Sequence, residues 1–253
     1  MFALDKPVGP TAAQALQLLR AHDPSLAHVT LGHAGRLDPL AEGLLTVLVG
    51  DENRDVHSLR GQPKTYEVDV LLGLTSDSFD ALGLVTDPVP TPVPTHRLEA
   101  ACAGRVGPYL QQYPPFSQAR VGGRSLLALS RAGVAVTRPT AERTVFAVEL
   151  LGCRTITLTE ARAHAIARVA RVRGDFRQKS ITARWNEVAQ GVPQARLAVA
   201  SLRIKCSSGT YMRALAHDLG TDLEMPAMAW RIRRTEAGPL TLDGARTLPD
   251  DAP

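Results

Sequence analysis

The chain has 253 residues, 44% of them hydrophobic, which suits one large domain whose core is Leu, Val and Ala because aromatics make up only 4%. A formal charge of +4 favours polyanions without singling out nucleic acid. Cys102, Cys153 and Cys206 are scattered with no CxxC pair, and no apolar run nears the roughly 20 residues of a membrane span. These features exclude a disulfide framework and a structural zinc site. The N-terminus has no apolar signal-peptide region, so a soluble, cytoplasmic protein is expected.

Pro10-Thr11 opens a first helix that Thr11 can cap, with Leu16, Leu18 and Leu19 on its apolar side before the break at His22-Asp23-Pro24. After Pro39, a second helix or turn-helix is predicted from Leu40 through Val49, stopping at Gly50. Tyr66, Val68, Val70 and Leu72 alternate with Glu67 and Asp69 as a half-buried strand ending at Gly73. The four alternating prolines of Asp87–Pro94 predict an extended connector, and Pro114-Pro115 marks another irregular point. Val145–Leu150 reads as a strand.

Thr159–Arg173 reads as a helix with Ala161, Ala165, Ile166, Val169 and Ala170 near one face. Arg162 to Arg184 holds seven Arg or Lys, with Asp175 the only acid, which fits either a solvated face or an RNA-contacting surface. Leu202, Ile204 and Cys206 form a further strand. It leads through Ser207–Thr210 to a helix with Met212, Leu215, Ala216 and Leu219 on one side and Gly220 as its stop. Arg213, in that helix's first turn and off the apolar stripe, is expected to project over the turn rather than into the core. Irregular alternation of helices and strands predicts an α+β fold with a mixed, mostly antiparallel sheet.

No phosphate-binding GxxxxGK[ST], dinucleotide-type GxGxxG, GxSxG elbow or HExxH occurs, so no metal or nucleotide cofactor is expected. The densest unusual stretch is Gly32-His33-Ala34-Gly35-Arg36-Leu37-Asp38-Pro39-Leu40-Ala41-Glu42-Gly43. Its glycines permit tight backbone paths, and Pro39 disfavours helical backbone at Asp38. Local spacing alone favours Asp38 as a helix N-cap over a presented catalytic carboxylate.

Taken in order along most of the chain, the motifs resemble the TruB family of pseudouridine synthases. Asp5–Thr11 is similar to the family's DKPxGxTS opening and Gly32–Gly43 to its GHxGTLDPxAxG motif. Lys64-Thr65-Tyr66 resembles KxY, while Leu72–Asp77 with Asp80–Gly83 follows LGxxTDTxDxxG. Pro114–Arg120 is similar to PPxYSAxK, Cys206–Arg213 to CSxGTYIR, and Arg233-Arg234-Thr235 with Gly238-Pro239 to RRTxxGPF.

The resemblance implies the pseudouridine synthase catalytic fold and isomerisation of the T-loop uridine at tRNA position 55, with tRNA as partner and no cofactor. Asp38 would be the nucleophile or base, Arg213 its ion-pair partner, and Tyr66 the stacking face for the flipped uracil, its hydroxyl near the reacting centre as a base. His33 would displace the target base, and Ile232 would pack against it. Lys6 and Lys64 would touch phosphate or be solvated.

Departures from the family pattern are Arg36 for Thr, placed to contact phosphate, and Arg120 for Lys in PPxYSAxK, which would keep the charge at an RNA-binding position, with Gly50–Arg54 in place of GEATK. Residues 154–196 read as a basic insertion in a catalytic domain spanning 1–235. Residues 236–253 are expected to be a short tail, too small for the PUA-like domain of bacterial members. A monomer is expected. Alternatives are a tRNA-binding or folding module independent of catalysis and a guide-dependent synthase like dyskerin.

Overall fold

The computed structural model describes residues 1–90 and 92–248. In chain order the elements begin β1 (Phe2–Lys6), α1 (Ala12–His22), β2 (Leu31–Ala34), β3 (Ala41–Val49), α2 (Val56–Gly61) and β4 (Lys64–Leu72). Next come α3 (Thr95–Gly104), β5 (Gly107–Gln112), β6 (Arg120–Val121), β7 (Arg124–Ser125), α4 (Leu126–Arg131) and β8 (Thr140–Thr157). The chain continues with α5 (Leu158–Ala170), α6 (Gln178–Gly191), β9 (Arg196–Cys206), α7 (Met212–Asp222), β10 (Ala227–Ala237), β11 (Leu240–Thr241) and β12 (Arg246–Thr247).

Among the described residues ten strands form one sheet, ordered β12-β1-β3-β10-β4-β9-β8-β5, with β2 beside β3 and β11 beside β10. Pairing is antiparallel except between β3 and β10 and between β1 and β12. The fold is therefore α+β with a mixed, mostly antiparallel sheet. Alternation along β4 splits the core. Val68, Val70 and Leu72 join Leu16 and Leu19 of α1 and Leu215 and Leu219 of α7 on one side of the sheet. Leu71 faces the other way, with Val199 and Met228, toward Ala161, Ala165, Val169, Ile181 and Trp185 of α5 and α6.

Thr11 caps α1 as its residue type predicts, in a reciprocal capping box with Gln14. The segment after Pro39 is a strand, not the predicted helix. β3 is buried along nearly its whole length between β1, β2 and β10, and a run buried on both faces loses the alternation that would mark a strand. Val145–Leu150 lies within the much longer β8. Of the proline-rich connector, Thr91 lies outside the described residues, and the remainder carries no regular structure before α3.

α7 runs past Gly220 to Asp222. Gly220 is not the predicted stop but a contact point, since a Cβ there would sit 2.5 Å from the Ala227 Cβ. Residues 236–248 are not a free tail. β10 extends to Ala237, β11 pairs with it, and β12 adds to β1. Residues 249–253 of the expected tail lie outside the described residues.

Residues 158–191 form two helices where the sequence predicted one, over Thr159–Arg173; α6 has Ile181, Trp185, Val188 and Ala189 buried. Trp185 is fully buried against Trp230, so Trp185→Ala should lower stability by about 3–5 kcal/mol, read from urea unfolding midpoints. A loss below about 1 kcal/mol would show that the helix pair adds little to the core.

Candidate active site

The loop from Gly35 to Leu40 connects the neighbouring antiparallel strands β2 and β3, and four separate parts of the chain hold its carbonyls. Arg234 Nη1 donates to Arg36 O at 3.3 Å, and Ala41 N to Asp38 O at 3.0 Å. Gly9 N donates to Pro39 O at 2.9 Å, and Arg168 Nη2 to Leu40 O at 2.7 Å. Because a strand follows, Asp38 caps no helix. Its carboxylate is half-buried and reaches across to α7.

There Arg213 Nε donates to Asp38 Oδ2 at 2.7 Å and lies 3.7 Å from Asp80 Oδ2. Arg213 Nη1 donates to Ser78 O at 2.8 Å and to Pro115 O at 3.0 Å. Arg213 is only 3% exposed, so it points inward rather than over the turn as its helix position suggested. Burial alone would lower its pKa, yet the Asp38 and Asp80 carboxylates outweigh that and raise it. Asp80 is buried, accepting from Ser78 Oγ at 2.6 Å and Leu82 N at 3.0 Å. Burial pushes its pKa up, opposed by the Arg213 guanidinium and the Ser78 hydroxyl.

Asp38 and Arg213 open onto a cavity of about 840 Å³ that Tyr66, Ile232, His33, Arg36 and Lys64 also line. Tyr66 on β4 and Ile232 on β10 are brought together by the antiparallel β4–β10 register, which sets Tyr66 opposite Arg234 and Ile232 opposite Val68. Burial raises the Tyr66 phenol above its ordinary value despite nearby Arg234, so it is protonated at neutral pH. His33 sits on β2, its pKa lowered by burial and by Arg60 and Arg36. Arg36 is exposed at the cavity wall.

Three other residues depart from expectation. Lys6 is fully buried, does not line the cavity, and donates to Pro7 O and Pro10 O, each at 2.8 Å. It has no surface for a phosphate, and it anchors the Pro7–Pro10 turn instead. Lys64 lines the cavity, but its ammonium is already held by Arg60 O and Gln62 O, both at 2.5 Å. Arg120 is exposed on β6, donating to Gly123 O, and the preceding residues Phe116–Ala119 line the cavity while Arg120 itself does not.

Burial holds the Lys6 pKa down at about 7, against the pull of Asp38 and Glu42. In the unfolded chain it returns to about 10.4. Between these values the unfolded chain holds the extra proton, so stability rises with pH from about 7 towards 10, and the contribution is lost as pH falls through 7. Lys64, lowered to about 8 chiefly by burial, acts in the same sense. Urea midpoints at about pH 7 and 9 should therefore rise in the wild type and rise less in Lys6→Met. An equal rise in both would remove Lys6 from the explanation.

The cavity carries seven cationic side chains (Arg36, Arg60, Lys64, Arg131, Arg177, Arg213 and Arg234) and only two carboxylates, Asp38 and Asp80. Such a lining accommodates a phosphate-bearing ligand. Residues 25–174 match the model of the TruB family pseudouridylate synthase N-terminal domain.

The chain belongs to the TruB family of pseudouridine synthases.

It is 33% identical to tRNA pseudouridine synthase B of Ralstonia pickettii over 98% of this chain and 65% of that protein. With tRNA pseudouridine synthase B of Geobacillus kaustophilus it shares 30% identity over 99% of this chain and 75% of that one. The chain thus spans about two thirds of the length of the curated relatives it matches, with 65% for another at 34% identity, from Cupriavidus pinatubonensis. Among solved structures, a Cbf5-Nop10-Gar1 complex matches with TM-score 0.61 and 21% identity over 99% of this chain and 53% of that one, a likeness of fold.

Within this TruB-family site, some lining residues had no role assigned from sequence. Asp80 and Tyr211 fall inside the motifs DxxG and CSxGTYIR, which were the available signals for them. Tyr211 is held by Gln111, which accepts from its N at 2.8 Å and donates to its O at 3.1 Å. Tyr113, Arg131 and Phe176 carry no local signal, because only the tertiary fold brings them to the cavity, whereas Phe116 lies in the PPxYSAxK-like motif and Arg177 in the basic stretch. Arg168, grouped with the basic surface from sequence, points inward onto Leu40 O, and burial lowers its pKa.

Among the described residues no helix is long and apolar enough to cross a membrane. None of their His, Cys, Asp and Glu side chains form a group of three or more placed to hold a metal ion.

Proposed function

We propose that this protein isomerises uridine to pseudouridine at the T-loop position of tRNA, using Asp38 and working without a guide RNA. The observation that carries the reading is one carboxylate, oriented by a buried Arg213, facing a cationic cavity that also holds Tyr66 and Ile232. The reaction breaks the N1–C1′ bond and forms C5–C1′, with the C5 proton lost and N1 protonated. It conserves atoms and electrons and asks for a carboxylate rather than an oxidant.

The target base must leave its stack to reach Asp38. The Tyr66 ring and the Ile232 side chain then supply the two surfaces for uracil, and the protonated Tyr66 hydroxyl serves as a hydrogen-bond donor. His33 and Arg36, at the cavity wall, meet the displaced loop and its phosphates. Affinity rests on phosphate contacts and therefore weakens with salt.

Incubating an unmodified tRNA transcript with the purified chain alone, then quantifying pseudouridine by nucleoside chromatography, tests the reading. Product without any added RNA guide is expected. Binding without product would favour a tRNA-folding module, and product only with a guide would favour a dyskerin-like enzyme.

A further inference from the structure

β8 and β9 pair antiparallel from Val145↔Cys206 to Thr157↔Arg196, an arrangement that a short turn could close. Residues 158–195 intervene instead. The helices α5 and α6 use their apolar faces to cover the sheet, which accounts for the helices but not for the connector between them. That connector, residues 171–177, turns toward the cavity, where Phe176 and Arg177 stand in the same lining as Asp38.

Several contacts fix the connector in place. Its backbone lies so close to Gly9 that a Cβ there would be 2.3 Å from Arg171 O, and Gly9 N in turn holds Pro39 O beside Asp38. The Gln178 side chain donates to Val172 O and Gly174 O and accepts from Phe176 N. Arg131 Nη2 donates to Asp175 O at 2.7 Å. Arg177 is in the left-handed region at φ 64°, a conformation that is costly for Arg and persists only when its surroundings enforce it.

The result is a paired set of aromatic rings and guanidiniums at one side of the cavity. Arg177 lies 4.4 Å over the Phe116 ring and donates to both Asp77 oxygens, at 2.7 and 3.1 Å. Arg131 lies 5.5 Å over the Phe176 ring. Phe116, Phe176, Arg131 and Arg177 all line the cavity. Rings beside guanidiniums suit an unstacked base and its phosphate.

We propose that Phe176 and Arg177 bind the nucleotide flanking the one placed at Asp38, the base against the aromatic side chains and its phosphate at Arg177. The two-helix segment thereby becomes part of the RNA-binding surface. The inference rests on the RNA-modifying reading above for its substrate class.

The test measures the Kd for an unmodified tRNA transcript and the single-turnover rate at saturating tRNA. The variants are Arg177→Gly, which suits φ 64° and removes the side chain, Arg177→Lys, which keeps the charge without the fork, and Phe176→Ala. Lys179→Ala removes a charge from the same segment at an exposed position outside the cavity. Thermal melts confirm folding.

Arg177→Gly and Phe176→Ala should each weaken Kd by about tenfold, with the saturating rate within about threefold of wild type. Arg177→Lys should fall between Arg177→Gly and wild type, and Lys179→Ala should match wild type within about twofold. Unchanged Kd in Arg177→Gly and Phe176→Ala overturns the proposal. So does a fall in rate at constant Kd, which would make Arg177 a support for the Asp77 loop. Wild type that binds tRNA with this residue dependence yet forms no pseudouridine supports the binding surface and defeats the activity reading instead.

Discussion

Asp38→Asn should bind tRNA within about threefold of wild type and lose at least ~1000-fold in single-turnover pseudouridine formation. The amide is nearly isosteric, and its oxygen can still accept from Arg213 Nε, now 2.7 Å from Asp38 Oδ2. The loop is also held through its backbone by Gly9, Ala41, Arg168 and Arg234, none of which the substitution touches. What disappears is the negative charge and the oxygen nucleophile or base. Loss of the charge-assisted bond should cost about 1–2 kcal/mol of stability, so a folded, RNA-binding, inactive protein is the expected phenotype. Comparable rates in wild type and variant would end the assignment of Asp38.

The second large effect belongs to Arg213→Met, which should lose both activity and about 3–5 kcal/mol of stability at neutral pH. Arg213 is the charged partner facing Asp80, and its guanidinium also ties Asp38, Ser78 and Pro115 together. Without it, Asp80 remains as a buried carboxylate whose pKa burial already raises. Removing the strongest opposing charge raises that pKa further.

The folded variant then holds a proton that the unfolded chain gives up. Its stability is greatest in acid and falls as pH rises through the raised Asp80 pKa. Urea unfolding at about pH 5 and 8 should show the deficit relative to wild type shrinking at the lower pH. Adding Asp80→Asn to Arg213→Met should restore part of the stability and none of the activity. A pH-independent deficit would mean that lost packing, rather than the orphaned Asp80 carboxylate, sets the cost.

Asp38, Tyr66 and Arg213 were legible as a group because each sits in a short motif whose order along the chain is itself informative. Their mutual geometry was not legible. Arg213 looked like a surface residue because helix periodicity reports the stripe that meets the sheet and says nothing of the loops bearing Ser78, Asp80 and Pro115, which enclose it from other directions. Lys6 misled for a related reason. A lysine near a turn reads as solvated, yet two carbonyls and burial turn it into an internal anchor.

The fold class followed from the mixture of elements, but β3 did not follow from its own residues. An apolar run buried on both faces has the same composition in a helix or a strand, and only its pairing with β1, β2 and β10 decides between them. The basic stretch from Arg162 to Arg184 was visible as charge alone. In the fold it divides by environment: Arg168 is turned onto the loop that carries Asp38, Arg184 ties Val85 and Asp87, and Arg177 reaches the cavity. Composition cannot make that division.

The most direct test of the account is the position of new pseudouridine in tRNA treated with wild-type and Asp38→Asn protein, mapped by carbodiimide modification and primer extension. The account predicts a single new pseudouridine at the T-loop uridine with wild type and none with Asp38→Asn. Modification elsewhere, or at the T loop with both proteins, would contradict it.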